Sequence, residues 1–253
     1  MRFECGGVSI HYEVTGAGRP LVLSHGVIES ADSWRAAVPA LAEHFQVVVH
    51  DARGRGRSGF GDAPLAYADL AEDVEALAGH LELGPFFHAG HSMGGRVALE
   101  HALAYPDRVR GLAVVSARAE APDEAGRERL RTLAERTRAQ GTAVAVEMWA
   151  KPGEAAHKRA RAISEANPLA GTLAALDSLV GMDSLLPRLG AIAAPTLVIT
   201  GDRDRAYVGS AEAMAAAIPA ARLVLFEGVG HFPNLESPGR LAVELISFFA
   251  ACP

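Results

Sequence analysis

Short apolar runs alternate with amphipathic helical patterns along most of this chain. Short apolar runs that suit strands lie at residues 20–26, 45–51, 85–91, 110–116, 195–201 and 222–228. The run at 20–26 is continuous, of the kind that a parallel sheet buries on both faces. Between these runs, apolar residues recur at helical spacing over roughly 33–42, 66–83, 92–105, 209–217 and 237–250. Runs at 2–5 and 8–14 flank Gly6-Gly7, which suits a tight hairpin turn. The alternation predicts βαβ units, with an antiparallel hairpin at the start of the sheet.

The segment from 117 to 190 interrupts this alternation. It contains no strand-like run, and glycine or proline at 141, 152–153, 168 and 181 divides it into several helices. We therefore predict an α/β fold whose mostly parallel, twisted sheet of about eight strands has helices on both faces. Residues 1–116 and 191–253 would form the core, and 117–190 a helical cap. An insertion at the carboxyl edge of a parallel sheet lies where such folds bind ligands.

Composition and charge narrow the classes of function. A chain of 253 residues that is 49% hydrophobic suits one large domain. Its 24 basic and 30 acidic residues give a net charge of -6, so no global positive field attracts nucleic acid or an anionic membrane. We expect a small-molecule ligand rather than either of these partners.

The cysteines and the N-terminus indicate a cytoplasmic protein. Cys5 and Cys252 belong to no metal-binding pair, and we expect two reduced thiols, with a disulfide between them as the alternative. Glu4 and the paired glycines interrupt the stretch in which a signal peptide would need an apolar core. No apolar run approaches the ~18 residues of a membrane span.

The stretch GHSMGG, residues 90–95, contains the strongest candidate for chemistry. Ser92 follows a predicted strand and precedes a predicted helix, within the pattern G-x-S-x-G. A serine there could simply cap the helix. Flanking glycines, however, permit a sharp turn that presents the hydroxyl at the positive end of the helix, where a nucleophile and an oxyanion are stabilised. We therefore favour a nucleophile, which can also begin the helix.

Five motifs in the same order as in a known family support this interpretation. The chain resembles the α/β-hydrolase fold family, and within it the small, cofactor-free serine hydrolases, which include esterases, lactonases and carbon-carbon hydrolases. The resemblance covers nearly all of the chain outside the predicted cap. It rests on LSHG (23–26), DARGRGRS (51–58), GHSMGG (90–95), PTLVITGDRD (195–204) and GVGHFPNLESP (228–238).

The chain order of nucleophile, acid and histidine also matches this family. His231 lies in a glycine-containing loop after the last predicted strand and is the expected base, although His25, His50 and His88 also lie near strand ends. On physical grounds either Asp202 or Asp204 could reach a histidine from its loop. The resemblance favours Asp204, third after the glycine that ends the strand.

The resemblance also implies an oxyanion hole. One donor would be the backbone N–H of Met93, directly after the nucleophile, and the other that of Val27, which follows His25-Gly26. His91, beside the nucleophile, is expected to make a structural hydrogen bond. Apolar and aromatic residues that could line a substrate pocket are Ile28, Met148, Trp149, Met182, Tyr207 and Phe232.

Other kinds of site are not supported. GAGRP (16–20) precedes a strand instead of opening a helix after one, and no Walker lysine lies near it, which argues against nucleotide binding. The ten histidines are scattered, without an HExxH motif, so we predict no metal and no organic cofactor.

We therefore expect hydrolysis of a carboxylic ester or lactone through an acyl-enzyme on Ser92. A carbon-carbon hydrolase of a vinylogous diketone, a perhydrolase or an acyltransferase would use the same triad. An alternative of another class is a small-ligand sensor that turns over slowly.

Overall fold

The centre of the computed structural model, which describes residues 1–61, 65–154 and 156–253, is one eight-stranded sheet. Its strands are β1 (Arg2–Cys5), β2 (Val8–Thr15), β3 (Arg19–Ser24), β4 (Phe45–His50), β5 (Phe86–His91), β6 (Val109–Val115), β7 (Thr196–Gly201) and β8 (Ala221–Phe226). The spatial order is β1-β2-β4-β3-β5-β6-β7-β8. The β1–β2 and β2–β4 pairs are antiparallel and all the others parallel, which confirms the predicted fold class.

Two helical layers cover the sheet because successive side chains of each buried strand point to opposite faces. The helices of the core are α1 (Val38–Ala42), α2 (Tyr67–His80), α3 (Met93–Ala104), α7 (Arg205–Ala217), α8 (Pro233–Glu236) and α9 (Pro238–Ala250). On β3, Leu21 and Leu23 pack with the side of the core that contains α1 and α9. Val22, between them, packs with the opposite side, which contains α2.

One helix predicted from the sequence is wrong in its extent. The pattern over 33–42 predicts a single helix, whereas the structure has a 3-10 helix at Ala31–Trp34 followed by α1 at Val38–Ala42. Pro39 lies in the first turn of α1. Proline has no N–H to donate to the preceding turn and its ring excludes that turn's carbonyl, so a helix cannot run through this position unbroken.

Helices fill the connection between β6 and β7. They are α4 (Glu124–Gln140), α5 (His157–Glu165) and α6 (Leu169–Val180), with 3-10 helices at Thr142–Met148 and Leu186–Ala191. The breaks coincide with the predicted ones at Gly141, Pro168 and Gly181. We call residues 117–190 the inserted segment.

A buried asparagine joins the inserted segment to the core. The Asn167 side-chain nitrogen donates to the carbonyl oxygens of Ile28 and Glu29 at 3.0 and 3.2 Å. Its side-chain oxygen accepts from the Gly56 amide at 2.7 Å. The inserted segment is thereby held against the loops that follow β3 and β4. Within the described residues, no helix has the length and apolar character needed to cross a membrane.

Candidate active site

Ser92 lies at a sharp turn between β5 and α3. Its backbone has φ +51° and ψ -113°, a conformation that L residues rarely adopt. A Cβ atom at Gly90 would lie 2.0 Å from the carbonyl oxygen of Gly94, and one at Gly94 would lie 2.2 Å from that of Ser24. The glycines of GHSMGG are therefore needed for the strand, the turn and the helix to approach this closely.

Ser92, His231 and Asp204 form a continuous chain of hydrogen bonds. The Ser92 hydroxyl oxygen lies 3.2 Å from His231 Nε2, and His231 Nδ1 lies 2.7 Å from Asp204 Oδ2. The three residues are only 9%, 3% and 9% exposed. The Ser92 side chain does not cap α3. Its hydroxyl faces the loop after β8, which carries His231.

The structure separates the two aspartates that the sequence left as alternatives. Asp204 follows β7 and faces His231, whereas Asp202 Oδ1 accepts a hydrogen bond from the Gly228 amide at 2.8 Å. Asp202 therefore stabilises the turn after β8, a common role for an aspartate in a loop.

The protonation of His231 follows from its partners. Burial lowers the pKa of the imidazole below its ordinary value of 6.5, although the Asp204 carboxylate opposes this shift. The ring is therefore neutral at pH 7. A carboxylate only accepts hydrogen bonds, so the single proton lies on Nδ1. Nε2 then carries the lone pair that can accept the Ser92 proton.

The two backbone amides expected to form the oxyanion hole belong to Val27, which lines a small cavity with Ser92, and to Met93, the residue after Ser92. Val27 lines this cavity together with Ser92, His231, Trp149 and Phe232. Met93 is the first residue of α3, so its N–H has no acceptor within the helix. Within the parts of the chain that the structure describes, neither the Val27 nor the Met93 amide donates to another protein group.

Glu29, which belongs to none of the sequence motifs, forms a buried ion pair beneath the site. Glu29 and His91 are both fully buried. His91 Nδ1 donates to Glu29 Oε2 at 2.8 Å, and His91 Nε2 donates to the carbonyl oxygen of His231 at 2.7 Å. Burial opposes charge on both groups. Their mutual attraction nevertheless lowers the pKa of Glu29 to about 2 and raises that of His91 above 6.5.

This ion pair connects the loops around Ser92. A carboxylate and a carbonyl cannot donate, so both ring nitrogens of His91 carry protons and the ring is an imidazolium. Glu29 also accepts from the Gly26 amide at 2.6 Å and from the Asn234 side chain at 3.0 Å. The pair thus fixes the loop that carries Val27 against both Ser92's turn and the loop of His231.

The remaining histidines near strand ends have structural partners. His25 Nε2 accepts from the Ala52 amide at 3.0 Å, so its other ring nitrogen donates to the Gly26 carbonyl. His50 and His88 both hydrogen-bond the Ser24 hydroxyl, at 3.1 and 2.9 Å. None of the three contacts the Ser92 hydroxyl.

Trp149 lies between two cavities. Its indole stacks on His231 with 5.8 Å between ring centroids, and its Nε1 donates to the Tyr207 hydroxyl at 2.9 Å. Ile28 and Phe232 line the small cavity with Ser92. Tyr207, Met148 and Met182 line a cavity of about 770 Å³ that also reaches Asp204. Trp149 belongs to the walls of both.

Comparison with known proteins gives one family. The model of the alpha/beta hydrolase family matches residues 21–245. A protein named as a carbamate hydrolase, RutD, from Azorhizobium caulinodans is 38% identical over 116 residues, which are 46% of this chain and 44% of that protein. The match therefore spans less than half of that relative's length.

Two solved structures match almost the whole chain. A thermophilic esterase from Thermogutta terrifontis has a TM-score of 0.91 and 28% identity, covering 99% of this chain and 98% of that one. The enol-lactonase from Burkholderia xenovorans LB400 has a TM-score of 0.91 and 25% identity, covering 99% and 100%.

Proposed function

The chain is a hydrolase of the alpha/beta hydrolase family, and on that premise we propose that it cleaves a carboxylic ester or lactone through an acyl-enzyme on Ser92. The observation that carries the proposal is the hydrogen-bonded chain from Ser92 through His231 to Asp204, at 3.2 and 2.7 Å. The similarity to an esterase and an enol-lactonase over nearly the whole chain supports an acyl substrate.

Each group in the site has a role in this reaction. His231 Nε2 accepts the hydroxyl proton as Ser92 attacks the substrate carbonyl, and Asp204 stabilises the imidazolium that forms. The amides of Val27 and Met93 donate to the developing oxyanion, and one such donor contributes about 3 kcal/mol. His231 then protonates the leaving alcohol, and the restored base activates the water that hydrolyses the acyl-enzyme.

Substitutions of the triad test this proposal with p-nitrophenyl butyrate as the substrate. We expect Ser92→Ala to abolish turnover and Asp204→Asn to lower kcat by roughly 10³–10⁴-fold, because the asparagine no longer holds the productive tautomer of His231. Asp202→Asn is the matched control, since its carboxylate accepts from the Gly228 amide in the loop after β8, whereas Asp204 is the one that faces His231. The kcat of Asp202→Asn should stay within about threefold of wild type. Circular dichroism checks that each variant is folded.

Mass spectrometry and a wider set of substrates distinguish the alternative reactions. Mass spectrometry of the wild type during turnover should show an ester of the acyl group on Ser92. Turnover that survives in folded Ser92→Ala would overturn the proposal. A vinylogous diketone cleaved faster than any ester or lactone would indicate carbon-carbon hydrolysis, and a single slow turnover with a stable acyl group would indicate a ligand sensor.

A further inference from the structure

The larger cavity beside Trp149 has mainly apolar walls. It lies between α4 and the start of α7, and its apolar lining comes chiefly from Leu130, Leu133, Met148, Leu179 and Met182. Its volume of about 770 Å³ is within the range of small-molecule sites. Because it reaches Asp204 and Trp149, an elongated molecule that occupied it could extend toward Ser92.

One positive charge at the inner end of this cavity has no carboxylate partner. Within the described part of the chain, Arg118 forms no ion pair, and its Nε is buried without a hydrogen-bond partner. Its guanidinium donates to the Ala206 carbonyl through Nη2 and lies over the Tyr207 ring, with Cζ 4.7 Å from the centroid. The guanidinium therefore has unused donors beside the cavity.

Two of the three carboxylates in the cavity walls have cationic partners. Glu147 pairs with Arg136 at 2.7 Å, whereas Asp204 accepts a hydrogen bond from the neutral His231 and keeps its negative charge. Glu128 pairs with Arg131 at 3.4 Å on the outer surface. Arg129 adds a second cation at the exposed rim. The cavity therefore has an apolar middle, and Arg118 and Arg129 are the cations in its walls that have no carboxylate partner among the described residues.

We propose that this cavity binds the carboxylate end of an anionic ester substrate, with Arg118 as the group that binds the carboxylate. The inference rests on the proposed function, because the ester end is placed at Ser92. The Tyr207 ring is 4.4 Å from that of His231, so the guanidinium lies within about 9 Å of the catalytic imidazole. That upper limit accommodates an acyl chain of up to about six carbons at ~1.5 Å per bond.

A substrate with its carboxylate at Arg118 and its ester at Ser92 must pass Trp149. The indole separates the large cavity from Ser92, and one hydrogen bond to Tyr207 holds it on that side. The proposal therefore requires the indole to rotate away from His231 when the substrate binds. The substrate class is then a half ester of a short dicarboxylic acid, or a lactone with a carboxylate at a similar distance.

Binding measured without turnover tests this inference separately from the proposed reaction. We would titrate monomethyl adipate and its neutral counterpart, dimethyl adipate, into Ser92→Ala by calorimetry. We expect the half ester to bind at least tenfold more tightly than the diester. Adding Arg118→Gln should reduce that preference at least tenfold, and Arg118→Lys, which keeps the charge, should reduce it less.

Arg240→Gln, in the same Ser92→Ala background, is the matched control. Arg240 also lies over an aromatic ring, that of Phe226 at 4.1 Å, but on α9 and outside the cavity. The control should keep the preference for the half ester. Equal affinity for the two esters, or an equal loss of both on Arg118→Gln, would overturn the inference. Binding that responds to Arg118 in a protein that hydrolyses no ester would instead contradict only the proposed function.

Discussion

At the scale of single residues, the pH dependence of the proposed reaction should follow His231 and its charged neighbours. The proposed base must be neutral, and burial lowers the pKa of His231 below 6.5. Activity is therefore present above that pKa and is lost as pH falls through it. We expect the acid limb of kcat/KM to have its midpoint below pH 6.5 in the wild type.

His91→Gln should move that limb to higher pH. The His91 imidazolium lies 5.1 Å from His231 between ring centroids and lowers its pKa, while Glu29 and Asp204 act in the opposite direction. Glutamine removes the cation but keeps a side-chain donor for the His231 carbonyl. If His91 only packed against its neighbours, its substitution would lower kcat/KM without moving the acid limb.

The control for this shift is His101→Gln. His101 is also a buried histidine beside a glutamate, with Nε2 3.3 Å from Glu75, but it lies on α3, outside the loops that carry Asp204 and His231. Its substitution should leave the midpoint where it is in the wild type. An acid limb that stays in place, or moves to lower pH, in His91→Gln would contradict the predicted effect of the His91 charge on the pKa of His231.

What the sequence could predict at this scale depends on whether a residue belongs to a motif. Ser92 and His231 could be selected because each follows a strand-like run and is flanked by glycines. Asp202 and Asp204 could not be separated on physical grounds, since both lie in one polar turn and only tertiary contacts distinguish them. Glu29 could not be found, because an isolated loop glutamate has no periodicity and its partners are up to 205 positions away.

At the scale of elements, α6 meets the loop after β4 through two glycines. A Cβ atom at Gly171 would lie 2.0 Å from the carbonyl oxygen of Gly54. Gly171→Ala should therefore push α6 away from the core and lower the free energy of unfolding by about 1–3 kcal/mol, as overpacking does. Urea denaturation followed by circular dichroism measures this change.

Gly209→Ala is the matched control because it is also a helical glycine. Gly209 lies on α7, and a Cβ atom there would meet nothing within 4 Å. Alanine has the higher helix propensity, so this variant should gain up to about 1 kcal/mol. If Gly171→Ala behaved like Gly209→Ala, the close contact between α6 and the loop would not contribute to stability.

Elements differ in how well the sequence predicts them. The parallel strands were predicted to within one or two residues at their ends, because apolar runs bounded by turn residues have few alternatives. The helix predicted over 33–42 failed at Pro39. The short α8 was not predicted, since its four residues are too few for periodicity to show. Its position depends on Glu236, which accepts from the amides of Gly230 and Phe232.

At the scale of the whole molecule, the buried Glu29–His91 pair holds segments that are distant in sequence. Glu29 follows β3, His91 ends β5, and both contact residues that follow β8. Asn167 adds the inserted segment through the carbonyls of Ile28 and Glu29. These contacts all lie at the carboxyl edge of the sheet, so the stability of the fold and the geometry around Ser92 depend on the same charges.

The free energy of unfolding should therefore vary with pH according to the pKa values of Glu29 and His91. The pKa of Glu29 is lowered from 4.5 to about 2, so its contribution is present above pH 4.5 and is lost as pH falls toward 2. The pKa of His91 is raised above 6.5, so its contribution is complete below pH 6.5 and is lost as pH rises through the folded-state value. Both contributions are complete together between pH 4.5 and 6.5.

The predicted pH window is tested by comparing the stability of the wild type with that of Glu29→Gln and of Glu29→Gln/His91→Gln. Glu29→Gln alone should cost about 3–5 kcal/mol within that window, because it leaves a buried imidazolium without its carboxylate. The double variant should recover part of the loss, since it buries no charge. Urea denaturation at intervals from pH 3 to 9 should show the gap between wild type and double variant widest at pH 4.5–6.5. Parallel stability curves would mean that the pair is neutral in the folded protein, and the charge assigned to His91 would then be wrong.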